Sequence, residues 1–263
     1  MGASKREHGA TSMMVKKPEE ILVMQEANQI VAETLAMLEK TVEPDITTWD
    51  LDNLAEDLCI RRNAVPAFKG YRGYPASLCV SINEEVVHGI PSKKRRLKKG
   101  DIVSIDFGVK YKGFYGDSAI TLPVGKVDSA KSRLIDVTNE SLQRAIAQVQ
   151  IGKRIADISS AVQTYVEENG FSVVRQFVGH GIGTSLHESP EIPNFIQDGP
   201  TPRILEGLVL AIEPMVNMGT YKVRIMRDGW TVITVDKQAS AHFEHSVAAT
   251  SDGPLILSSR QGF

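Results

Sequence analysis

Cysteine is almost missing from this chain. Two among 263 residues, Cys59 and Cys79, exclude a disulfide framework and fit a reducing compartment. Long apolar runs are missing too. None approaches the roughly 20 residues of a membrane span, and the Gly/Ala/Ser/Lys-rich start has no apolar stretch of a secretory signal. Neither sign of charge is in excess: 30 Lys plus Arg against 32 Asp plus Glu give a formal −2. No global field therefore draws the chain to nucleic acid or anionic lipid. The remainder, 42% hydrophobic and 24% charged, is ordinary for a globular protein with chain enough for a core. These absences leave a cytoplasmic enzyme or binding protein.

What is present is organised around Asp101 to Thr121. Ile102 to Val109 alternates apolar residues with small or acidic ones, the period-2 pattern of a half-buried strand. Phe114 to Leu122 reads as a second strand, with Lys110-Tyr111-Lys112-Gly113 as a hairpin connection. Pairing symmetric about that connection sets Val109 against Phe114, Gly108 against Tyr115 and Asp106 against Asp117. Opposed carboxylates on one face destabilise a sheet unless a cation lies between them. A bulge at Gly113 that sends one aspartate to solvent is the alternative.

Residues 1–17 carry no usable periodicity and read as a mobile tail, leaving 18–263 as one domain. Pro18 opens a helix with Ile21, Met24, Ala27, Ile30, Val31, Leu35 and Leu38 as its apolar stripe. Thr47 with Asp50 reads as a capping box for a second helix to about Asn63. A Gly/Tyr-rich loop, a strand at about 78–83 and a turn with His88 follow. The basic run Lys93 to Lys99 reads first as a solvated loop. Its rival reading is phosphate contact with RNA, ribosomal RNA included. Helices over about 129–149 and 155–169 come next, with Gly170 as C-cap. Strands follow over 172–178, 208–213 and 241–250, with a hairpin around Asp228-Gly229. Two helices then sheet, twice over, predicts one domain with internal pseudo-symmetry.

The candidate ligands are spread along this frame. His180 lies in Gly179-His180-Gly181-Ile182-Gly183, where glycines allow close backbone approach, and His187 follows. Glu213 ends an apolar strand, where a buried carboxylate needs a partner. Glu244 shares a strand face with His242 and Ser246, while Phe243 and His245 share the other. Two aspartates, one histidine and two glutamates form an oxygen-rich set suited to Mn, Fe, Co or Zn.

HGIP at 88–91, DFG with GDS at 106–118, GHGIG at 179–183, HE at 187–188, IEP at 212–214 and FEHS at 243–246 resemble, in order and spacing, the type I methionine aminopeptidases of metallopeptidase family M24. The resemblance runs from about Pro18 to Thr250. It implies the pita-bread α/β fold, a curved antiparallel sheet flanked by helices. It also implies two divalent metal ions, one held by Asp106 and Asp117, the other by Asp117, His180, Glu213 and Glu244, with Asp117 and Glu244 bridging. The implied reaction is removal of the initiator methionine from nascent chains before a small second residue, by a bridging hydroxide. The substrate amino terminus would complete the first metal's shell.

By the same resemblance Glu213 doubles as proton shuttle, His187 hydrogen-bonds the oxyanion and His88 meets the leaving side. Phe68, Tyr71, Tyr74, Cys79 and Trp230 would form the methionine pocket, each of which alone reads as core packing. Leu186 stands where the family often has phenylalanine. A monomer is the family's usual state. Prolidase and aminopeptidase P are rival enzymes, but they carry an N-terminal domain for which only about 17 residues are available here. A non-catalytic pita-bread binding module is the rival from another class.

Overall fold

In the computed structural model, which describes residues 13–260, the helix signals act where the sequence sets them. Helix α1 spans Pro18–Thr41, opened by proline, with the Glu20 side chain accepting from Lys17 N at 2.7 Å. Helix α2 spans Thr48–Arg61. Its capping box is closed in both directions: Asp50 N donates to Thr47 Oγ1 at 3.0 Å, and Thr47 N to Asp50 Oδ2 at 3.1 Å. Helix α3 (Ser129–Ile146) is capped by Asp128, and α4 (Ile155–Glu168) stops at Gly170, φ +79°.

The main sheet is antiparallel throughout. Its central path runs through Ile102–Tyr111, Phe114–Pro123, Glu244–Thr250, Val209–Ile212 and Gly179–Gly181, with Leu78–Ile82 also paired to Ile102–Tyr111. One face packs on α1 to α4. There Phe107, Ile105, Ile120, Leu210 and Ile212 interdigitate with Leu35, Leu38, Leu134 and Ile158. Gly116 is obligatory on that face, since a Cβ would lie 2.9 Å from Asn28 N of α1. The other face carries the candidate ligands.

The hairpin corrects the expected register. Asp106 pairs with Ala119, and Asp117 with Gly108, because the turn is two residues long rather than four. Lys112 and Gly113 both have positive φ (+48° and +89°), the type I′ turn whose twist suits a two-residue hairpin. The shift is by two residues, so both aspartates keep the same face and neither goes to solvent.

Two strands are shorter than expected. Only Ser172–Val173 pairs in the stretch read as 172–178. The stretch read as 241–250 breaks at Phe243 into Ser240–His242, which joins a small second sheet, and Glu244–Thr250. In the basic run, Arg95 pairs with Glu85, Arg96 donates to Asp45 O at 2.5 Å and Leu97 is fully buried. Lys93, Lys94, Lys98 and Lys99 remain exposed. Among the described residues no helix is long and apolar enough to cross a membrane.

Candidate metal centre and cleft

The ladder puts the ligands on one face by alternation. Asp106 pairs with Ala119, which on its other side pairs with Glu244. Asp117 is two residues along from Ala119, hence on the same face. His180 pairs with Ala211, which pairs with Ser246, two residues from Glu244. Glu213 follows Ala211 by two. The row-mates Gly108, Ala119, Ala211 and Ser246 are all small, which leaves room for the carboxylates between strands. A Cβ on Gly108 would come within 2.9 Å of the Phe68 ring and 3.2 Å of Asp117 Oδ1.

Hydroxyls pin this arrangement. Ser118 Oγ donates to Glu244 O at 2.6 Å, and Ser246 Oγ donates to Asp117 O at 2.8 Å. At the strand break, Thr121 Oγ1 accepts from His242 N and donates to His242 O, both at 2.8 Å. His242 and Glu244, two residues apart and on one face, both address the site. His242 Nε2 and His180 Nε2 each lie 3.6 Å from a Glu213 oxygen, too far for hydrogen bonds. His242 was legible as sharing Glu244's face, but nothing in its motif marked it as part of the centre.

The electrostatics are those of a cation site. Ligand atoms of Asp117, His180 and Glu244 lie within 4.8 Å of one another. Asp106 Oδ1, Asp117 Oδ1, Glu244 Oε1 and His242 Nε2 are buried without hydrogen-bond partners, a costly state for polar atoms. Burial raises the Asp117 pKa to about 7. Burial, and then the neighbouring carboxylates, push Asp106, Glu213 and Glu244 well above the usual range. Burial lowers His180 to about 3, so the imidazole is neutral. His180 Nδ1 lies 2.9 Å from Gly181 O. Donation there leaves the Nε2 lone pair facing the carboxylates, the tautomer a metal ligand requires. Orphaned carboxylate oxygens and a bare imidazole nitrogen on one buried patch fit a hard divalent cation.

The centre floors a cleft of about 530 Å³. Tyr74, Cys79, Phe68 and Leu186 are buried along its wall, and Tyr74 meets Trp230 edge-on at 5.1 Å between ring centroids. Cys79 sits directly across the ladder from Asp106. Tyr71 Oη lies 2.7 Å from His187 Nδ1, and the His187 ring stands 4.3 Å from that of His180. His88, at φ +61°, packs edge-on against Phe177 at 5.6 Å. Burial lowers its pKa to about 4. The candidate ligand, catalytic and pocket residues read from the sequence thus all line one cleft. Lys16, read from the sequence as part of a mobile tail, is instead buried and paired with Glu188, the residue after His187, because its backbone N is tied to Gly207 O.

A sequence profile for metallopeptidase family M24 matches residues 23–251. The methionine aminopeptidase of Clostridium acetobutylicum is 50% identical over 245 residues, 93% of this chain and 98% of its own length. Methionine aminopeptidase 1 of Bacillus subtilis is 49% identical with the same coverage. The crystal structure of the Thermotoga maritima methionine aminopeptidase superposes with a TM-score of 0.92 at 44% identity, over 94% of this chain and 99% of that one. The Pyrococcus horikoshii prolidase shares the fold at a TM-score of 0.76 and 20% identity, and only 64% of its length is covered. Profile, relatives and fold agree: this chain belongs to metallopeptidase family M24, among its methionine aminopeptidases.

Proposed function

We propose that this protein removes the amino-terminal methionine from peptides and nascent chains whose second residue is small. The observation that carries the reading is the buried patch of four carboxylates and one imidazole, with unpartnered oxygens, at the floor of a cleft walled by aromatic, thiol and aliphatic side chains. Asp106, Asp117, His180, Glu213 and Glu244 would hold two divalent ions drawn from Mn, Fe, Co or Zn, with Asp117 and Glu244 shared between them. When bound, such a pair supplies Lewis acidity and an activated hydroxide nucleophile near neutral pH.

The chain's own groups do the rest. The methionine thioether fits against Phe68, Tyr71, Tyr74, Cys79, Leu186 and Trp230, since sulfur packs well on aromatic rings. The acidic floor favours a free ammonium at the end of the substrate, which restricts cleavage to the first residue. If Tyr71 Oη donates to His187 Nδ1, the His187 proton sits on Nε2, where it can meet the oxyanion. Glu213 is the candidate proton shuttle as well as a ligand, moving a proton toward the leaving amine. His88 stands on the leaving side.

We place this activity in the cytoplasm, in a monomer with a single catalytic domain, with the exposed lysines of 93–99 as a candidate contact with ribosomal RNA. The test is chelation followed by addition of Mn or Co, with a Met-Gly peptide and an X-Pro peptide as substrates. Metal-dependent release of methionine alone is expected, and X-Pro cleavage would reassign the activity. His187→Ala should lower kcat at least about tenfold with metal content unchanged; near-full activity would remove His187 from the reaction.

A further inference from the structure

The loop that presents Leu186 and His187 to the cleft is held from behind by a residue before the first helix. Lys16 is buried; its ammonium pairs with Glu188, and the two side chains are 5% and 2% exposed. The Lys16 ammonium also donates to Met14 O at 2.7 Å, while its backbone N donates to Gly207 O at 2.7 Å. Two glycines make the seat. A Cβ on Gly183 would lie 2.2 Å from Lys16 Cε, and one on Gly207 would lie 2.3 Å from Lys16 O. The other oxygen of Glu188 accepts from Ser185 N at 3.1 Å and Thr184 Oγ1 at 3.4 Å. The carboxylate therefore closes 184–188 into a compact turn. On the cleft side, Tyr71 holds His187.

We infer that Lys16 is a positioning residue for the reaction: through Glu188 it fixes the 183–188 loop, and with it the place of His187 over the metal centre. The inference rests on the reading of His187 as oxyanion donor. Without the ammonium, Glu188 is a buried, unpaired carboxylate. Its route to water is outward movement of the loop, because an orphaned buried charge is far more costly than a paired one. His187 moves with it, and a displacement of about 1 Å is enough to lose most of a positioned donor's effect. Lys16, which precedes the first helix, is thereby part of the apparatus that positions His187.

The test is a double-variant cycle on metal-replete enzyme with a Met-Gly peptide: Lys16→Met, His187→Ala, both together, and Lys16→Arg. Lys16→Met should lower kcat about tenfold or more, with KM changed less than about threefold and metal stoichiometry intact. Lys16→Arg, which still reaches Glu188, should return to within about threefold of the parent. In the His187→Ala background, Lys16→Met should add less than about twofold. Amide exchange at 184–188 should quicken while Ile102–Tyr111 is unchanged. Independent, multiplicative losses, or a folded Lys16→Met enzyme at parental kcat, would overturn the inference. Should Lys16→Met not accumulate folded, Glu188→Gln takes its place in the cycle. Near-parental activity of His187→Ala alone defeats the oxyanion reading, whereas the exchange rates still decide whether Lys16 fixes the loop.

Discussion

Replacing Asp117 with Asn should stabilise the metal-free protein and destabilise the metal-bound one. Asp117 is 3% exposed, and burial lifts its pKa from 3.8 to about 7. A shift of about 3 units corresponds to roughly 4 kcal/mol of destabilisation once the carboxylate is ionised in both states. The sign follows from the direction. The folded pKa is raised, so the penalty is absent below the unfolded value, grows as pH rises through it, and is complete above the folded value. At pH 8 the metal-free variant should therefore exceed the parent by about 2–4 kcal/mol, allowing for the amide's own burial. At pH 5 the margin should be about 2.5 kcal/mol smaller, close to zero.

For a chain of this size the pH 8 difference is roughly 5–15 °C in Tm. Histidine titrations are common to both proteins and cancel in the comparison to first order. With excess Mn the order should invert, since two ions, each at a hundred times its Kd, add about 5.4 kcal/mol together, and the variant, lacking the carboxylate that touches both, loses most of it. Melting followed by circular dichroism, with EDTA and with Mn, at pH 5 and pH 8, gives all four values. A metal-free parent as stable as the variant at pH 8 would show that the buried carboxylate carries no uncompensated charge, and the electrostatic reading of the centre would fall.

Tyr71→Phe removes the 2.7 Å partner of His187 Nδ1 and should lower kcat about three- to tenfold with little change in Tm, read by steady-state kinetics and melting. Gly179→Ala would place a Cβ 2.4 Å from Ala211 O, forcing the His180 strand off its neighbour. Tm should fall by roughly 5–10 °C and metal affinity with it, measured by melting and titration calorimetry. Reversing the charge of Lys93, Lys94 and Lys98 should abolish salt-sensitive sedimentation with ribosomes and leave peptide hydrolysis unchanged; unaltered sedimentation assigns the run to simple solvation.

The helices were legible because their signals are local: Pro18, the Thr47 and Asp50 box, and Gly170 act through backbone groups a few residues away. Face assignment in the hairpin was equally legible, since a two-residue error in register preserves alternation. The register itself depended on whether Lys112 would accept a left-handed backbone, which its residue type does not announce. The break at Phe243 was hidden for another reason. Ala241 to Thr250 is uniformly strand-like, and the chain leaves one sheet for another only because Thr121 captures both polar groups of His242. Lys16 was illegible altogether: its partner is 172 residues away, and its burial is created by glycines whose role shows only in three dimensions. The five candidate ligands were picked out by their motifs, and their convergence follows from small row-mates that a linear pattern does not display.

The account turns on whether five scattered donors hold a pair of ions. Anomalous diffraction from crystals grown with Mn should show two peaks about 3.5–4 Å apart, with Asp117 and Glu244 each touching both and His180 touching one. A single peak, or peaks elsewhere with Glu244 free of metal, would contradict it.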